Sequence, residues 1–203
     1  MKLWLVFIPF IAALLMSSDK KENVIIDSDM TFEQAVAGSP ATKEIIESLT
    51  LLDVYYYSFD SKLHKGQLVV SKSIAGEVKT VFEMIRQTKF PVNKAIPIVK
   101  YKWDDDASMR DNNSSSFCWR TIAGTNRISL HGRGLAVDIN PRMNPVVHKD
   151  GSVSPKNGKY DTKKPGTFTA EHPIVKKFKE LGWRWGGEFS SYKDNHHFDK
   201  PTE

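Results

Sequence analysis

Apolar side chains recur at helical spacing in two segments of the chain. Within residues 74–88 and again within residues 173–181, most apolar positions are separated by three or four residues. This period places apolar side chains along one face of an α-helix. The sequence therefore predicts two amphipathic helices, the first ending before Pro91, and the second beginning at Pro173 and ending at Gly182.

Segments rich in β-branched and aromatic residues predict a β-hairpin before the first of these helices. One strand is expected over residues 51–58 and a second, shorter strand over residues 67–70, joined by turn residues at 60–66. A further strand is expected over residues 95–101. It should lie at a sheet edge or a bulge, because Pro97 has no backbone N–H.

Two short helices are predicted before the hairpin. A capping-box pattern at residues 31–34 starts the first of them. Ser39 followed by Pro40 has the pattern of an N-cap and a first helical position, which predicts a second helix extending to about Ser48.

Two longer polar segments, residues 103–120 and 140–169, are predicted to be loops. The first contains three consecutive aspartates at 104–106, which suggests calcium, but the alternating oxygen ligands of a calcium loop are missing. We interpret the three aspartates as a solvated acidic turn. The second segment is expected to be an ordered loop within the domain.

Residues 1–18 have the pattern of an export signal. Lys2 precedes an apolar run of fourteen residues, which as a helix spans about 21 Å, whereas the hydrocarbon core of a bilayer is about 30 Å thick. This length favours a signal peptide over a stable membrane span. The residues around Ser17 and Ser18 lack a clear cleavage pattern, which leaves open a membrane association through an uncleaved N-terminal anchor.

Length and composition indicate one soluble domain and exclude several kinds of site. The chain has 203 residues, of which 40% are hydrophobic and 26% charged, and we divide it into a polar connector with short helices at 19–48 and one domain at 49–203. Its net charge of +5 is not concentrated in a Lys/Arg cluster, which argues against nucleic acid as a partner. Because Cys118 is the only cysteine, any metal site must use histidines and carboxylates.

Two imidazoles and two carboxylates have the spacing of a catalytic zinc site. We predict His131, Asp138 and His197 as the ligands of one Zn²⁺ ion, with the fourth position left for water. Zinc lowers the pKa of its bound water towards about 7, and Asp194 is the predicted general base that accepts a proton as this water attacks a peptide carbonyl. Because Asp194 and His197 must face the same side, the segment between them is expected to be turned rather than extended.

Several other side chains are open to two interpretations. His196 adjoins the third predicted ligand, and only the position of the acidic residue three places before His197 favours the latter. Trp185 is a candidate wall of a substrate site, although core packing would explain it equally well. The remaining histidines are expected to be surface or capping residues: His64, His148 and His172.

These motifs resemble those of the zinc peptidases of the D-alanyl-D-alanine carboxypeptidase family, which includes vancomycin-resistance D,D-carboxypeptidases and the L-alanyl-D-glutamate endopeptidases of phage endolysins and bacteria. The resemblance rests on Ser-x-His-x-x-Gly-x-Ala-x-Asp at residues 129–138, Trp-x-Trp-Gly-Gly at 183–187 and Asp-x-x-His-Phe at 194–198. It covers about residues 103–199. It implies a single α+β domain in which a small antiparallel sheet, flanked by helices, carries the zinc site.

The resemblance also implies roles for individual residues. It places the family's three ligands and its catalytic carboxylate on the residues predicted above, with Asp194 where several relatives have glutamate. Arg120 lies where the family tends to have an arginine that holds the scissile carbonyl or a substrate carboxylate, a task that suits the guanidinium fork. Ser129 is expected to hydrogen-bond the substrate near the metal.

The sequence therefore predicts an exported zinc metallopeptidase of the periplasm or cell envelope that hydrolyses peptide bonds in peptidoglycan stem peptides. Its type, D,D-carboxypeptidase or L-alanyl-D-glutamate endopeptidase, stays open at this point, and the loop at 140–169 is expected to decide it by shaping the cleft. Two alternatives also stay open. The first is a non-catalytic, zinc-containing wall-binding module, and the second is a metal-binding scaffold of the envelope.

Overall fold

The computed structural model describes residues 23–122 and 124–201, so the predicted export signal at 1–18 lies outside the described residues. No helix within the described ranges is long and apolar enough to cross a bilayer. The five α-helices of this part are α1 (Phe32–Val36), α2 (Lys43–Ser48), α3 (Ala75–Thr88), α4 (Asp105–Arg110) and α5 (Pro173–Glu180). Its strands are β1 (Ile25–Ile26), β2 (Leu49–Tyr57), β3 (Leu63–Ser71), β4 (Lys94–Ala95), β5 (Asn113–Ser114), β6 (Ala136–Asp138), β7 (Val146–Val147), β8 (Val153–Ser154), β9 (Arg184–Trp185), β10 (Lys193–Asp194) and β11 (His197–Asp199).

The two longest strands form the predicted hairpin. β2 and β3 are antiparallel over nine residues each, from Leu49 opposite Ser71 to Tyr57 opposite Leu63. β1 extends this sheet by pairing in parallel with β3. The turn is shorter than the predicted segment at 60–66, because the last residues of that segment pair within β3.

The two predicted amphipathic helices are confirmed, and both pack onto one hydrophobic core. The apolar face of α3 and that of α5 are buried in the same cluster as the hairpin. Phe178 of α5 stacks on Phe198 of β11, with 4.1 Å between the ring centroids. Val137 and Ile139 are fully buried in this cluster, so that Asp138 between them projects to the opposite side of its strand.

The second half of the chain forms two further three-stranded sheets. In one of them β11 lies between β6 and β9, and in the other β7 lies between β10 and β8, with all pairs antiparallel. β7 and β8 belong to the segment at 140–169, which is therefore partly a hairpin rather than a loop throughout. The predicted mixture of helices and small sheets is confirmed, whereas the domain boundary between residues 48 and 49 stays a prediction.

The predicted strand at 95–101 is wrong beyond its first residue. β4 ends at Ala95, and a 3₁₀ helix runs over Ile98–Tyr101. Pro97 precedes this helix with φ −55°, the value that its ring imposes. Because the same ring removes a backbone donor, Pro97 favours the start of a helical turn over continued strand pairing.

Two helix boundaries also differ from prediction, because side-chain caps override the local patterns. α2 begins later than expected, since Thr42 is its N-cap and Ser39 instead accepts a hydrogen bond from the Ala41 N–H in a local turn. α4 replaces part of the loop predicted at 103–120. Asp104 Oδ1 accepts a hydrogen bond from the Ala107 N–H at 2.9 Å, so the acidic run starts a helix, where the helix dipole favours carboxylates.

Gly134 allows a test of how the hairpin supports the segment at 129–138. Its φ is +65°, and a Cβ atom there would lie 2.7 Å from the backbone nitrogen of Ser71. We expect Gly134→Ala to lower the free energy of unfolding by about 2 kcal/mol or more, because left-handed backbone alone costs an L-residue about 1–2 kcal/mol. Urea unfolding measures the difference.

The matched control for this substitution is Gly76→Ala. Gly76 lies in α3, and nothing lies within 4 Å of a Cβ atom placed there. Alanine should therefore raise the free energy of unfolding by about 0.5–1 kcal/mol. If both variants had the same free energy of unfolding as the unmodified chain, the close approach of Gly134 to the hairpin would not contribute to stability.

Candidate metal centre

His131 is held by a tight turn that follows Ser129. It is buried and begins a 3₁₀ turn, His131–Arg133. Ser129 Oγ accepts a hydrogen bond from the Gly132 N–H at 3.0 Å, which stabilises the turn. His131 Nδ1 donates to the backbone carbonyl of Ser116 at 2.7 Å. A neutral His131 therefore has its remaining lone pair on Nε2.

Asp138 and His197 face each other across two neighbouring strands. Asp138 ends β6 and His197 begins β11, and the two residues are directly opposite in the antiparallel register. Side chains at such positions project from the same face of a sheet, with Cβ atoms about 4.5–5.5 Å apart. The pairing of β6 with β11 thus brings together two residues that are far apart in the sequence.

One nitrogen each of His131 and His197 and the carboxylate of Asp138 approach a common point. His131 Nε2 lies 3.1 Å from His197 Nδ1 and 3.2 Å from Asp138 Oδ2, and His197 Nδ1 lies 3.0 Å from Asp138 Oδ1. A tetrahedral zinc site with bonds of about 2.0–2.1 Å separates its ligand atoms by roughly 3.3 Å. The donor atoms of this metal triad (His131, Asp138 and His197) therefore fit one metal ion.

Protons compete with a metal ion for the atoms of the metal triad. Burial opposes ionisation of Asp138, but the charges of His131 and His196 hold the pKa of Asp138 well below its usual range. Burial also lowers the pKa of His197, but its hydrogen bonds with Asp138 and Asp199 outweigh burial and raise this pKa to about 10. A metal ion must displace that proton, so metal binding releases a proton and weakens as the pH falls.

Asp199 and Arg184 support His197 from the side away from the metal triad. His197 Nε2 donates to Asp199 Oδ2 at 3.2 Å, and Arg184 donates from Nε and Nη2 to the two oxygens of Asp199 at 2.7 and 2.8 Å. Although burial raises the pKa of Asp199, these hydrogen bonds lower it below its ordinary value. The hydrogen bond to Asp199 holds a proton on His197 Nε2 and leaves His197 Nδ1 for a metal ion. Sequence reasoning missed Asp199, although strand alternation places it on the same face as His197.

We expect Asp199→Asn to weaken zinc affinity by about 10–100-fold, because an amide no longer requires the proton to stay on His197 Nε2. Calorimetric titration of the metal-free variant with zinc measures the effect. Asp150→Asn, in an exposed turn, is the control for loss of an aspartate charge. Equal zinc affinities of the two variants would contradict a supporting role for Asp199.

Asp194 lies beside the metal triad at the end of β10. Residues 195 and 196 form a turn before β11, so the prediction of a turned segment is confirmed. Asp194 Oδ1 is buried and has no hydrogen-bond partner among the described residues. His196 Nε2 lies only 3.0 Å from this oxygen, but the pair does not have hydrogen-bond geometry. Asp194 is therefore a carboxylate with unused acceptor capacity.

His196 adjoins the metal triad without belonging to it. Its Nδ1 donates to the backbone carbonyl of Asn144 at 2.8 Å, and its Nε2 lies 3.9 Å from Asp138 Oδ2. Across the described residues, the group of three ligand atoms that all lie within 4.8 Å of one another contains His197 and not His196. The strand register opposite Asp138 explains the difference between the two adjacent histidines.

A family model described as D-alanyl-D-alanine carboxypeptidase matches residues 123–200, a segment that contains the metal triad and Asp194. This segment is therefore similar to that peptidase family. The resemblance seen in the motifs is thus confirmed, although the match is shorter than the expected range of 103–199 and covers less than half of the chain. No curated protein and no solved structure matches the chain. The peptidase segment (residues 123–200) supports a hydrolase of the peptidase class.

Arg120 lies just outside the peptidase segment and close to the metal triad. Its Nη2 is 3.2 Å from Asp105 Oδ2 at the start of α4. Burial lowers the pKa of Arg120, but the charges of Asp105, Asp138 and Asp194 raise it, as expected for a cation near all three carboxylates. The structure therefore brings Arg120 close to the predicted base, and its contact with a substrate stays a prediction.

The two other predicted substrate contacts are both buried. Trp185 is 4% exposed, and its Nε1 donates to the backbone carbonyl of Asn195 at 3.0 Å. Its hydrogen bond supports the turn at 194–197 and its burial favours the core-packing alternative, whereas its contact with a substrate stays a prediction. Ser129 is 6% exposed and stabilises the turn at His131, and its contact with a substrate stays a prediction.

An aromatic pair that sequence reasoning missed borders the metal triad. The exposed ring of Tyr192 lies 5.9 Å from the ring of Phe189, which in turn lies 6.1 Å from the ring of His197. Burial raises the pKa of Tyr192, and the charges of Asp194 and Asp199 raise it further. The available signal was the position of Tyr192, two residues before the predicted base.

The remaining histidines lie away from the metal triad, and one differs from its predicted position. His172 is the N-cap of α5, and His148 is exposed, as predicted. His64 was expected at the surface, but it is buried in β3, with Nδ1 3.0 Å from Asp27 and Nε2 3.2 Å from Asp60. Asp27 follows β1 and Asp60 lies in the hairpin turn, so His64 is enclosed between these two segments.

Proposed function

We propose that this chain is an exported, zinc-dependent peptidase that hydrolyses peptide bonds in peptidoglycan stem peptides. The observation that carries the proposal is the convergence of three ligand atoms beside Asp194 Oδ1, a buried carboxylate oxygen that accepts no hydrogen bond from the described residues. A structural metal site has no need of such a carboxylate. A hydrolytic site needs one to accept a proton from water.

Each group of side chains has a separate role in the proposed reaction. The metal triad would hold one zinc ion, which would supply a Lewis acid and lower the pKa of a bound water towards about 7. Asp194 accepts a proton as the water attacks the carbonyl carbon of the peptide bond, and later delivers that proton to the leaving amine. Arg120, with a charge that neighbouring carboxylates maintain, binds a carboxylate or carbonyl of the substrate.

The substrate class rests on the family of the peptidase segment, whose description is D-alanyl-D-alanine carboxypeptidase. Stem peptides of peptidoglycan carry free carboxylates, which suits an arginine beside the metal triad. The description favours removal of the terminal D-alanine over cleavage between L-alanine and D-glutamate. β7 and β8, with the rest of the segment at 140–169, are proposed to set this choice by limiting the cleft.

The experiment that tests the proposal is hydrolysis of defined muropeptides. The purified protein is stripped of metal, reloaded with one equivalent of zinc, and incubated with a disaccharide that carries a pentapeptide stem. Mass spectrometry then identifies the products. Loss of one terminal alanine is expected, whereas release of a peptide that begins with D-glutamate would reassign the enzyme as an endopeptidase.

No product from any stem peptide, with zinc bound at one ion per chain, would overturn the proposed activity and favour a wall-binding module. Binding of the same muropeptides without turnover would identify that alternative. Export is a separate part of the proposal and rests on residues 1–18. Cell fractionation tests it, and recovery of the full-length chain in the cytoplasm alone would overturn it.

A further inference from the structure

The ion pair between Asp105 and Arg120 joins α4 to the rim of the metal centre. Asp105 Oδ2 lies 3.2 Å from Arg120 Nη2, and the two side chains are 19% and 41% exposed. Asp105 is therefore well shielded although it starts a short helix near the surface. A partly buried carboxylate beside a guanidinium interacts more strongly than the exposed pairs that contribute little to stability.

The cap of α4 does not require Asp105. Asp104 is the N-cap, and its Oδ1 accepts the hydrogen bond from the Ala107 N–H. Asp106 occupies the same first turn, is exposed, and makes no ion pair within the described part of the chain. Three adjacent aspartates thus have three environments, and only Asp105 faces the arginine.

Several carboxylates attract the Arg120 guanidinium from different sides, so its orientation depends on which of them it contacts. Asp138 and Asp194 also attract the guanidinium, and of the three carboxylates Asp105 has the largest effect on it. Without Asp105, the remaining attraction would be towards Asp138, a predicted metal ligand, and towards Asp194, the carboxylate that must accept a proton. With Asp105 in place, the guanidinium is held from the side of α4. Cys118 is a further side-chain partner of Arg120, and a guanidinium has five N–H donors, so donors remain for a ligand.

We propose that Asp105 is a positioning residue, which holds the Arg120 guanidinium at the rim of the metal centre in the orientation that binds a carboxylate or carbonyl of the substrate. The inference rests on the proposed function for the identity of that substrate. Both residues lie outside the peptidase segment. The part of the chain that the family model does not match therefore contributes to the substrate site.

The expected effect is on binding of the substrate. A positioned arginine contacts the substrate both before and during the reaction, so its loss of position raises KM more than it lowers kcat. We expect Asp105→Asn to raise KM for the pentapeptide muropeptide by about 10-fold and to change kcat by less than about 3-fold, as for loss of one charge-assisted hydrogen bond. Asp105→Glu should recover most of the affinity.

The matched control is Asp106→Asn, which removes the same charge from the same turn of α4. It should leave KM and zinc content unchanged. A double-mutant cycle with Arg120→Gln then shows whether Asp105 acts through Arg120. If it does, Asp105→Asn adds no further increase in KM once Arg120 has been replaced.

Calorimetric binding of the same muropeptide to the zinc-loaded unmodified protein and to its Asp105→Asn and Asp106→Asn variants separates this inference from the proposed function. If the unmodified protein binds without cleaving, and Asp105→Asn weakens binding about 10-fold as for one lost charge-assisted contact, the proposed activity fails and the positioning role stands. Equal KM and equal affinity for the Asp105→Asn and Asp106→Asn variants would overturn the positioning role. Absence of both binding and cleavage in the unmodified, zinc-loaded protein would overturn both proposals.

Discussion

Replacement of Asp194 with asparagine is expected to lower kcat for stem-peptide hydrolysis by about 10²–10⁴-fold, the usual contribution of a general acid–base group. Asparagine keeps the size of the side chain but cannot accept the proton of the attacking water. Asp194 is not a member of the metal triad. The zinc content of the variant should therefore stay at one ion per chain, which metal analysis of the dialysed protein measures beside kcat.

The control for this substitution is again Asp106→Asn, which removes an exposed carboxylate of α4. It should keep full activity and full zinc content. An Asp194→Asn protein that binds zinc and retains the turnover of the unmodified chain would remove Asp194 from the mechanism. A variant that lost both zinc and activity would instead indicate that Asp194 supports the metal triad.

Replacement of Asp138 with asparagine is expected to abolish stoichiometric zinc binding and hydrolysis together. Its carboxylate is 2% exposed and lies between His131 and His197, so no other acidic side chain or water can readily take its place. Zinc at about 1,000 times its dissociation constant should stabilise the unmodified chain by about 4 kcal/mol, because only the folded state forms the site. The Asp138→Asn variant should show no stabilisation by zinc, as thermal unfolding with and without the metal will measure.

His148→Gln is the control for zinc binding, because His148 is exposed and lies outside the metal triad. This variant should bind one zinc ion and be stabilised as strongly as the unmodified chain. Retention of one tightly bound zinc by Asp138→Asn would move the metal to another set of ligands. His196, which adjoins the metal triad, would then be the first candidate.

Local sequence patterns were sufficient for the long helices and for parts of the candidate site. The apolar faces of α3 and α5 follow the helical period, and their ends follow from Pro173 and the residues after each helix. The capping box at Thr31 forms as predicted. These features involve residues within a few positions of one another, so the sequence alone contains the interactions that produce them.

The same patterns failed where a distant partner decided the outcome. The aspartates at 104–106 look like a solvated turn in isolation, but Asp104 caps α4 and Asp105 meets Arg120. The sequence left Trp185 open between a substrate wall and core packing, and only its burial against the turn at 194–197 favours packing. Neither the burial of a side chain nor the direction in which it points follows from its type.

The sequence by itself restricted any metal site to histidines and carboxylates, because the chain has one cysteine, and its motifs identified the candidate ligands and the candidate base. Only the tertiary structure decided how these side chains are oriented and which of their atoms face a metal ion. The register of β11 on β6 places His197, and not His196, opposite Asp138. The hydrogen bond from His131 Nδ1 to the backbone carbonyl of Ser116 leaves His131 Nε2 for a metal ion. Strand register and hydrogen bonds between distant segments form when the core closes, and a linear pattern of residues does not encode the angle at which two side chains meet.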